Sequence, residues 1–127
     1  MALSTSELEA ARRRLETRLA ELEATLARVE RVEPDSEFAH VDNHPGDVAS
    51  DLHDRELDET TLMLLRDERD RIGAALRAIA HGTYGFCIDC GREIPRERLL
   101  AAPDALRCLP CQRRREGYLR QHIARSE

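Results

Sequence analysis

Leu8, Leu15, Leu22 and Val29 recur every seven residues, and Leu19 and Leu26 follow Leu15 and Leu22 by four. That spacing lines one face of a helix with an apolar seam of the a/d type, while Glu and Arg fill most positions between. Ser4 and Glu7 have the spacing of a capping box, in which each side chain satisfies an otherwise unpaired backbone amide at a helix start. A helix is therefore predicted to begin near residue 5. It ends before Pro34, which has no amide proton to give and disfavours helix in the residue ahead of it.

A second seam runs through Leu62, Leu65, Ile72, Leu76 and Ile79, with Arg69 on the same face. It predicts a helix capped by Asp47 and running to about Ala80, ahead of Gly82. Traced backwards, this seam meets Arg55 and Asp58 before Val48, so packing at that end is expected to be looser and more polar. Leu57, Met63 and Leu64 lie off the seam and are expected to serve the core, against the C-terminal helix. Between the two helices, residues 35–46 are rich in turn formers and carry no periodicity.

Two helices of some thirty residues, each about 45 Å long, joined by a short loop, predict an antiparallel coiled-coil hairpin. Either helix alone is marginal in water, so stability must come from the seam. The hairpin is assigned to residues 1–80, with its tip at about 35–51. Beyond Gly82 the pattern changes to Tyr84-Gly85-Phe86-Cys87-Ile88-Asp89-Cys90-Gly91, short and punctuated by glycine. Residues 81–127 are assigned to a small four-cysteine base and a last helix starting near Pro110. Leu119 and Ile123, four apart on that helix, are expected to pack back on the hairpin. The fold class is mainly α.

The four cysteines form two Cys-x2-Cys pairs, Cys87/Cys90 and Cys108/Cys111, separated by 17 residues. This is the spacing of a four-cysteine zinc ribbon: each pair points two thiolates at one centre, and the intervening chain lets the pairs face each other. Gly91 permits the tight backbone such a turn needs. Four thiolates close the shell, so a single zinc here is structural, worth on the order of 10–16 kcal/mol in small peptides. Disulfides or redox pairs are the competing reading; a thioredoxin-like site would need a βαβ context that the pattern lacks.

Composition narrows the class. Aromatic residues make up 3% of the 127 residues and charged residues 35%, which excludes a large, deeply buried core. No stretch of 18 apolar residues occurs and the first thirty residues hold no apolar leader segment, so a soluble, unexported protein is expected, with no membrane partner. Paired cysteines used as metal ligands suit a reducing compartment, which points to the cytoplasm. The net charge of −5 hides a polarity: residues 35–70 hold 12 acids and 3 arginines, whereas residues 71–127 hold 11 arginines and 6 acids. A partner that meets an acidic end and a basic end separately fits this better than a uniform grip on DNA.

Tyr84-Gly85-Phe86-Cys87, Cys90-Gly91, Ile94, Arg98-Leu99, Ala101, Pro103, Cys108 and Cys111, behind a helical hairpin, resemble the DksA/TraR family of bacterial transcription regulators. The separation of Asp47 from Cys87 by 40 residues belongs to the same likeness. The resemblance implies a regulator, not an enzyme, that binds RNA polymerase and inserts the hairpin into its secondary channel. Acidic residues at the tip then approach the catalytic centre and alter the stability of promoter complexes.

In the family's tip motif, an acid is followed after two residues by a second acid and, two further on, by alanine. Asp47 and Ala49 match; His44 stands at the first acid, with Asp42 two residues before it and Asp51 beyond. The family's response to guanosine tetraphosphate uses basic side chains on the second helix and just after the last cysteine. Arg71 fits one of these positions, while Leu64 and Gln112 occupy two others.

Two other function classes are open at this point. His40, His44 and His53 with Asp42, Asp47, Asp51 and Asp54 crowd a 15-residue window, a density that would suit a second metal and hydrolysis, although no helical His-x3-His pair supports it. Arg107, Arg113, Arg114, Arg115 and Arg120 make a basic patch that would suit a zinc-ribbon module binding nucleic acid or a protein. Few aromatic side chains are available for base stacking.

Overall fold

The computed structural model describes residues 2–32 and 58–126. Its helices are α1 (Thr5–Val32), α2 (Glu59–His81), α3 (Arg96–Ala101) and α4 (Leu109–Ser126). An isolated antiparallel bridge between Phe86 and Glu93 is the β pairing among the described residues. Contacts divide the chain into two compact units, one made of Met1–Glu16 with Arg71–Glu127, the other of Thr17–Asp70.

The capping box forms as expected at the start of α1. The Ser4 amide donates to Glu7 Oε1 (3.0 Å) and the Glu7 amide donates to Ser4 Oγ (3.2 Å). At the far end of α2, Gly82 adopts φ +75°, a left-handed conformation that costs other residues dearly. The Thr83 amide then reaches back to the Ala78 carbonyl (2.9 Å) and the Gly82 amide to that of Ile79 (3.3 Å). This Schellman pairing satisfies carbonyls that the helix end leaves open, so the chain turns out of α2 where the glycine stands.

In the unit Thr17–Asp70, the α1 seam is buried at Leu22, Leu26 and Val29, and Leu62 of α2 packs into the same cluster with Leu65 beside it. Further along, Arg18 grips the Glu68 carboxylate through Nε (2.8 Å) and Nη2 (2.9 Å). Residue numbers rise along α1 as they fall along α2, so the helices are antiparallel. Each leucine buried this way contributes roughly 1.5–3 kcal/mol. The partly exposed Arg18–Glu68 pair contributes at most about 1 kcal/mol. Apolar burial, and not charge, holds this unit.

Two expectations are corrected here. The helix that carries the second seam begins at Glu59, so it is not one unbroken helix from Asp47: Asp58 lies outside it and caps it, its Oδ1 accepting from the Thr61 amide (2.8 Å). A carboxylate at that place satisfies an amide that an unbroken helix from Asp47 would have paired internally. Met63 and Leu64 are not core, being 62% and 63% exposed. Leu62 and Leu65 set the inward face of α2, and the two residues between them are carried about 100° and 200° around the helix. Asp47 itself, Leu57 and the tip lie outside the described residues.

In the other unit the interior is built from Leu3, Ala11 and Leu15 at the N-terminal side, Ile72 and Ala75 of α2, and Tyr84, Ile94 and Leu99. Ala11 and Ala75 supplement the leucine seam with small side chains that allow close approach of neighbouring backbone. Helix α3, with no period long enough to announce it, buries Leu99 completely. It is held to α1 by Arg14 Nη1 on the Leu100 carbonyl (2.9 Å) and by Arg96 on the Glu7 carboxylate. Leu119 of α4 is 43% exposed and does not pack back as expected. Its helix is too rich in arginine to offer a continuous apolar face, and Ile123 falls among the side chains not described. No described helix is long and apolar enough to cross a membrane.

Candidate metal centre

The first cysteine pair sits on a tight reversal. The Ile94 amide donates to the Gly85 carbonyl (2.8 Å) and the Cys87 amide to that of Arg92 (2.8 Å), flanking the Phe86–Glu93 bridge. Between them Gly91 takes φ +76° and gives its amide to the Cys87 carbonyl (2.9 Å). A side chain at Gly91 would have room but would be forced into a strained backbone. The second pair opens α4, with Cys108 just ahead of it and Cys111 in its first turn. Ile88 ties the two segments together by donating to the Leu106 carbonyl (2.9 Å).

Cys87, Cys90, Cys108 and Cys111 thereby bring their sulfurs within 4.8 Å of one another. Cys90 Sγ and Cys108 Sγ are 3.7 Å apart, far beyond the roughly 2.05 Å of a disulfide, and all four cysteines are free. A tetrahedron with zinc–sulfur bonds of about 2.3 Å sets its sulfurs about 3.8 Å apart. The donor set therefore fits zinc in size and in kind.

The protonation chemistry agrees. Burial works against ionisation of Cys87, yet backbone amides of Cys108, Cys90 and Asp89 outweigh it and draw the thiol down to about 6. Cys111 is pushed up to about 12, chiefly by its hydrogen bond with Cys108 and then by burial. Thiols this crowded do not all ionise unless a cation lies among them. Zinc supplies that charge and locks the two turns together. With four sulfur ligands it leaves no position for a reacting water.

Residues 82–117 match the model of the prokaryotic dksA/traR C4-type zinc finger. The fold is similar to that of transcription factor DksA2 from Pseudomonas aeruginosa, with a TM-score of 0.59 and 27% identity, covering 92% of this chain and 88% of that one. Residues 82–117 thus carry a zinc finger of the dksA/traR type, and the chain as a whole resembles transcription factor DksA2 in fold.

The chain is 46% identical over 69 residues to the uncharacterized protein YteA of Bacillus subtilis, covering 54% of this chain and 29% of that protein. It is 42% identical over 65 residues to general stress protein 16O of the same organism, covering 51% and 40%. It is 38% identical over 80 residues to the RNA polymerase-binding transcription factor DksA of Caulobacter vibrioides, covering 58% and 56%. The chain thus spans between about a third and just over half of these relatives' lengths.

Of the other DksA/TraR site residues expected from the sequence, Asp42, His44, Asp47, Ala49 and Asp51 lie outside the described residues, as do the remaining histidines and aspartates of that window. Arg71 is described. Its Nε donates to Asp104 Oδ2 (3.2 Å), and it lines a cleft of about 470 Å³ with Arg98, Arg107, Gln112 and Arg113. Leu64, expected as one of the neutral replacements, is on the exposed side of α2.

The basic patch is less free than the sequence suggests. Arg107 is tied to Asp89 (Nε to Oδ2, 2.8 Å), and its carbonyl accepts from Arg98 Nε (3.0 Å). Arg114 donates through Nη2 to the Cys111 sulfur (3.1 Å). Sequence reasoning missed this last contact, although Arg114 stands three residues after Cys111 on a foreseen helix, a spacing that brings side chains together.

Proposed function

We propose that the chain is a cytoplasmic bacterial transcription regulator that binds RNA polymerase and is not itself an enzyme. In this reading a hairpin tip containing Asp42, His44, Asp47, Ala49 and Asp51 enters the secondary channel and acts electrostatically near the catalytic magnesium. The reading is supported most by the combination, in one chain, of a four-thiolate zinc site with antiparallel helices whose apolar seam runs through Leu22, Leu26, Val29 and Leu62. A likeness extending over 92% of the chain to a protein titled transcription factor supports it further, as does the 38% identity to a factor named for binding RNA polymerase.

Charge gives the physical rationale. Twelve acids and three arginines between residues 35 and 70 support a tip whose negative field would act on a metal-centred active site. Arg71, beside the cleft, is the proposed contact for polymerase or for guanosine tetraphosphate bound with it. The arginines already committed to Asp89 and to Cys111 leave less of the basic patch for nucleic acid.

The test is the lifetime of promoter complexes after competitor challenge, with purified polymerase and the zinc-loaded chain. Wild type should change that lifetime severalfold, and Asp47→Asn, which removes one tip charge without changing side-chain size, should lose most of the effect. A lifetime indifferent to the wild-type protein would refute the reading.

A further inference from the structure

The two cysteine turns differ in how their sulfurs are supplied with hydrogen bonds. In the first, the nearby backbone amides of Cys108, Cys90 and Asp89 favour the Cys87 thiolate. In the second, the residue two beyond Cys108 is Pro110, which has no amide hydrogen. That turn has lost a donor the other possesses. On the other sulfur of that turn a side chain donates: Arg114 reaches back one helical turn and places Nη2 3.1 Å from Cys111 Sγ.

Zinc with four thiolates carries a net negative charge, and hydrogen bonds to the sulfurs spread that charge and hold each ligand in its orientation. We infer that Arg114 is a positioning residue of the zinc site, donating a charge-assisted hydrogen bond to the Cys111 thiolate. Its neighbour Arg115 is an exposed arginine on the same helix and separates this specific contact from general positive charge. The inference concerns metal retention alone and does not depend on what the protein regulates.

The experiment uses the full zinc-loaded chain and compares wild type with Arg114→Leu and Arg115→Leu. Leucine keeps helix propensity at these exposed positions, and circular dichroism at saturating zinc verifies the fold. Titration with a chromogenic chelator should show Arg114→Leu holding zinc roughly tenfold more weakly, the usual cost of removing an outer partner of a metal ligand, with Arg115→Leu unchanged.

With cobalt in place of zinc, the sulfur-to-metal charge-transfer band should move to longer wavelength in Arg114→Leu, because a thiolate relieved of its hydrogen bond donates more strongly. Wild-type zinc retention with an unmoved cobalt band in Arg114→Leu would overturn the inference. So would an equal loss of affinity in Arg115→Leu.

Discussion

Glu7 serves two structures at once. Its carboxylate accepts the Ser4 amide in the capping box and is also gripped by Arg96, whose Nε lies 3.3 Å from Oε1. The Arg96 hydrogen bond, followed by that from the Ser4 backbone, holds the carboxyl down at about 2 against an ordinary value of 4.5. A carboxylate with a depressed folded-state pKa stabilises the protein fully above its unfolded pKa and loses that contribution as pH falls through the folded one. The stability difference between wild type and Glu7→Gln should therefore be constant above about pH 5 and shrink between roughly pH 4.5 and 2. Thermal melts of both proteins across that range measure it. Acid release of zinc affects the two alike and drops out of the difference; a gap that stays constant down to pH 2 would refute the pairing.

The same scale shows why some side chains could be read in advance and others could not. The four zinc ligands follow from local spacing, because two residues between thiolates fix their separation whatever the rest of the fold does. The Arg114 contact depends on a rotamer, and a string of three arginines does not say which of them reaches a sulfur. Arg107, foreseen as part of a free patch, is held by Asp89 across 18 residues of chain, a pairing no short pattern encodes.

At the scale of elements, α1 was legible from end to end. Leu15, Leu22, Leu26 and Val29 of its predicted seam are buried, Leu8 and Leu19 are partly buried, and its capping box formed between the expected pair. Helix α2 was legible in its seam and in its glycine stop but not in its start, since Asp47 and Asp58 are both credible caps and only the hydrogen bond from Thr61 decides between them. Helix α3 has six residues, too few to display a period, and exists because tertiary burial of Leu99 holds it. Met63 and Leu64 show the reverse: apolar residues whose place around the helix, not their hydrophobicity, keeps them outside.

Because Asp58 caps the helix, Asp58→Ala should destabilise the chain and Asp58→Asn much less, since an amide oxygen also accepts. Urea unfolding of the zinc-loaded chain gives the comparison, and an Asp58→Ala variant as stable as wild type would place the helix start elsewhere.

For the whole molecule, composition and chemistry converge. Aromatics at 3% and charges at 35% leave too little apolar surface for a large core. The chain is accordingly stabilised by a narrow leucine seam in Thr17–Asp70 and by a small interior around Ile94 and Leu99 in the unit that carries the cysteines. A closed four-sulfur site contributes stability and no catalysis. The work of the protein is therefore sought in its surfaces, among them the acidic segment that contains Asp42 to Asp51.

Equilibrium binding of the zinc-loaded chain to purified bacterial core RNA polymerase tests the proposed polymerase-binding role most directly. A saturable complex should form at micromolar protein or below, without DNA, and should survive Asp47→Asn because that residue is assigned to acting after binding. Absence of any complex at micromolar concentrations would contradict the account.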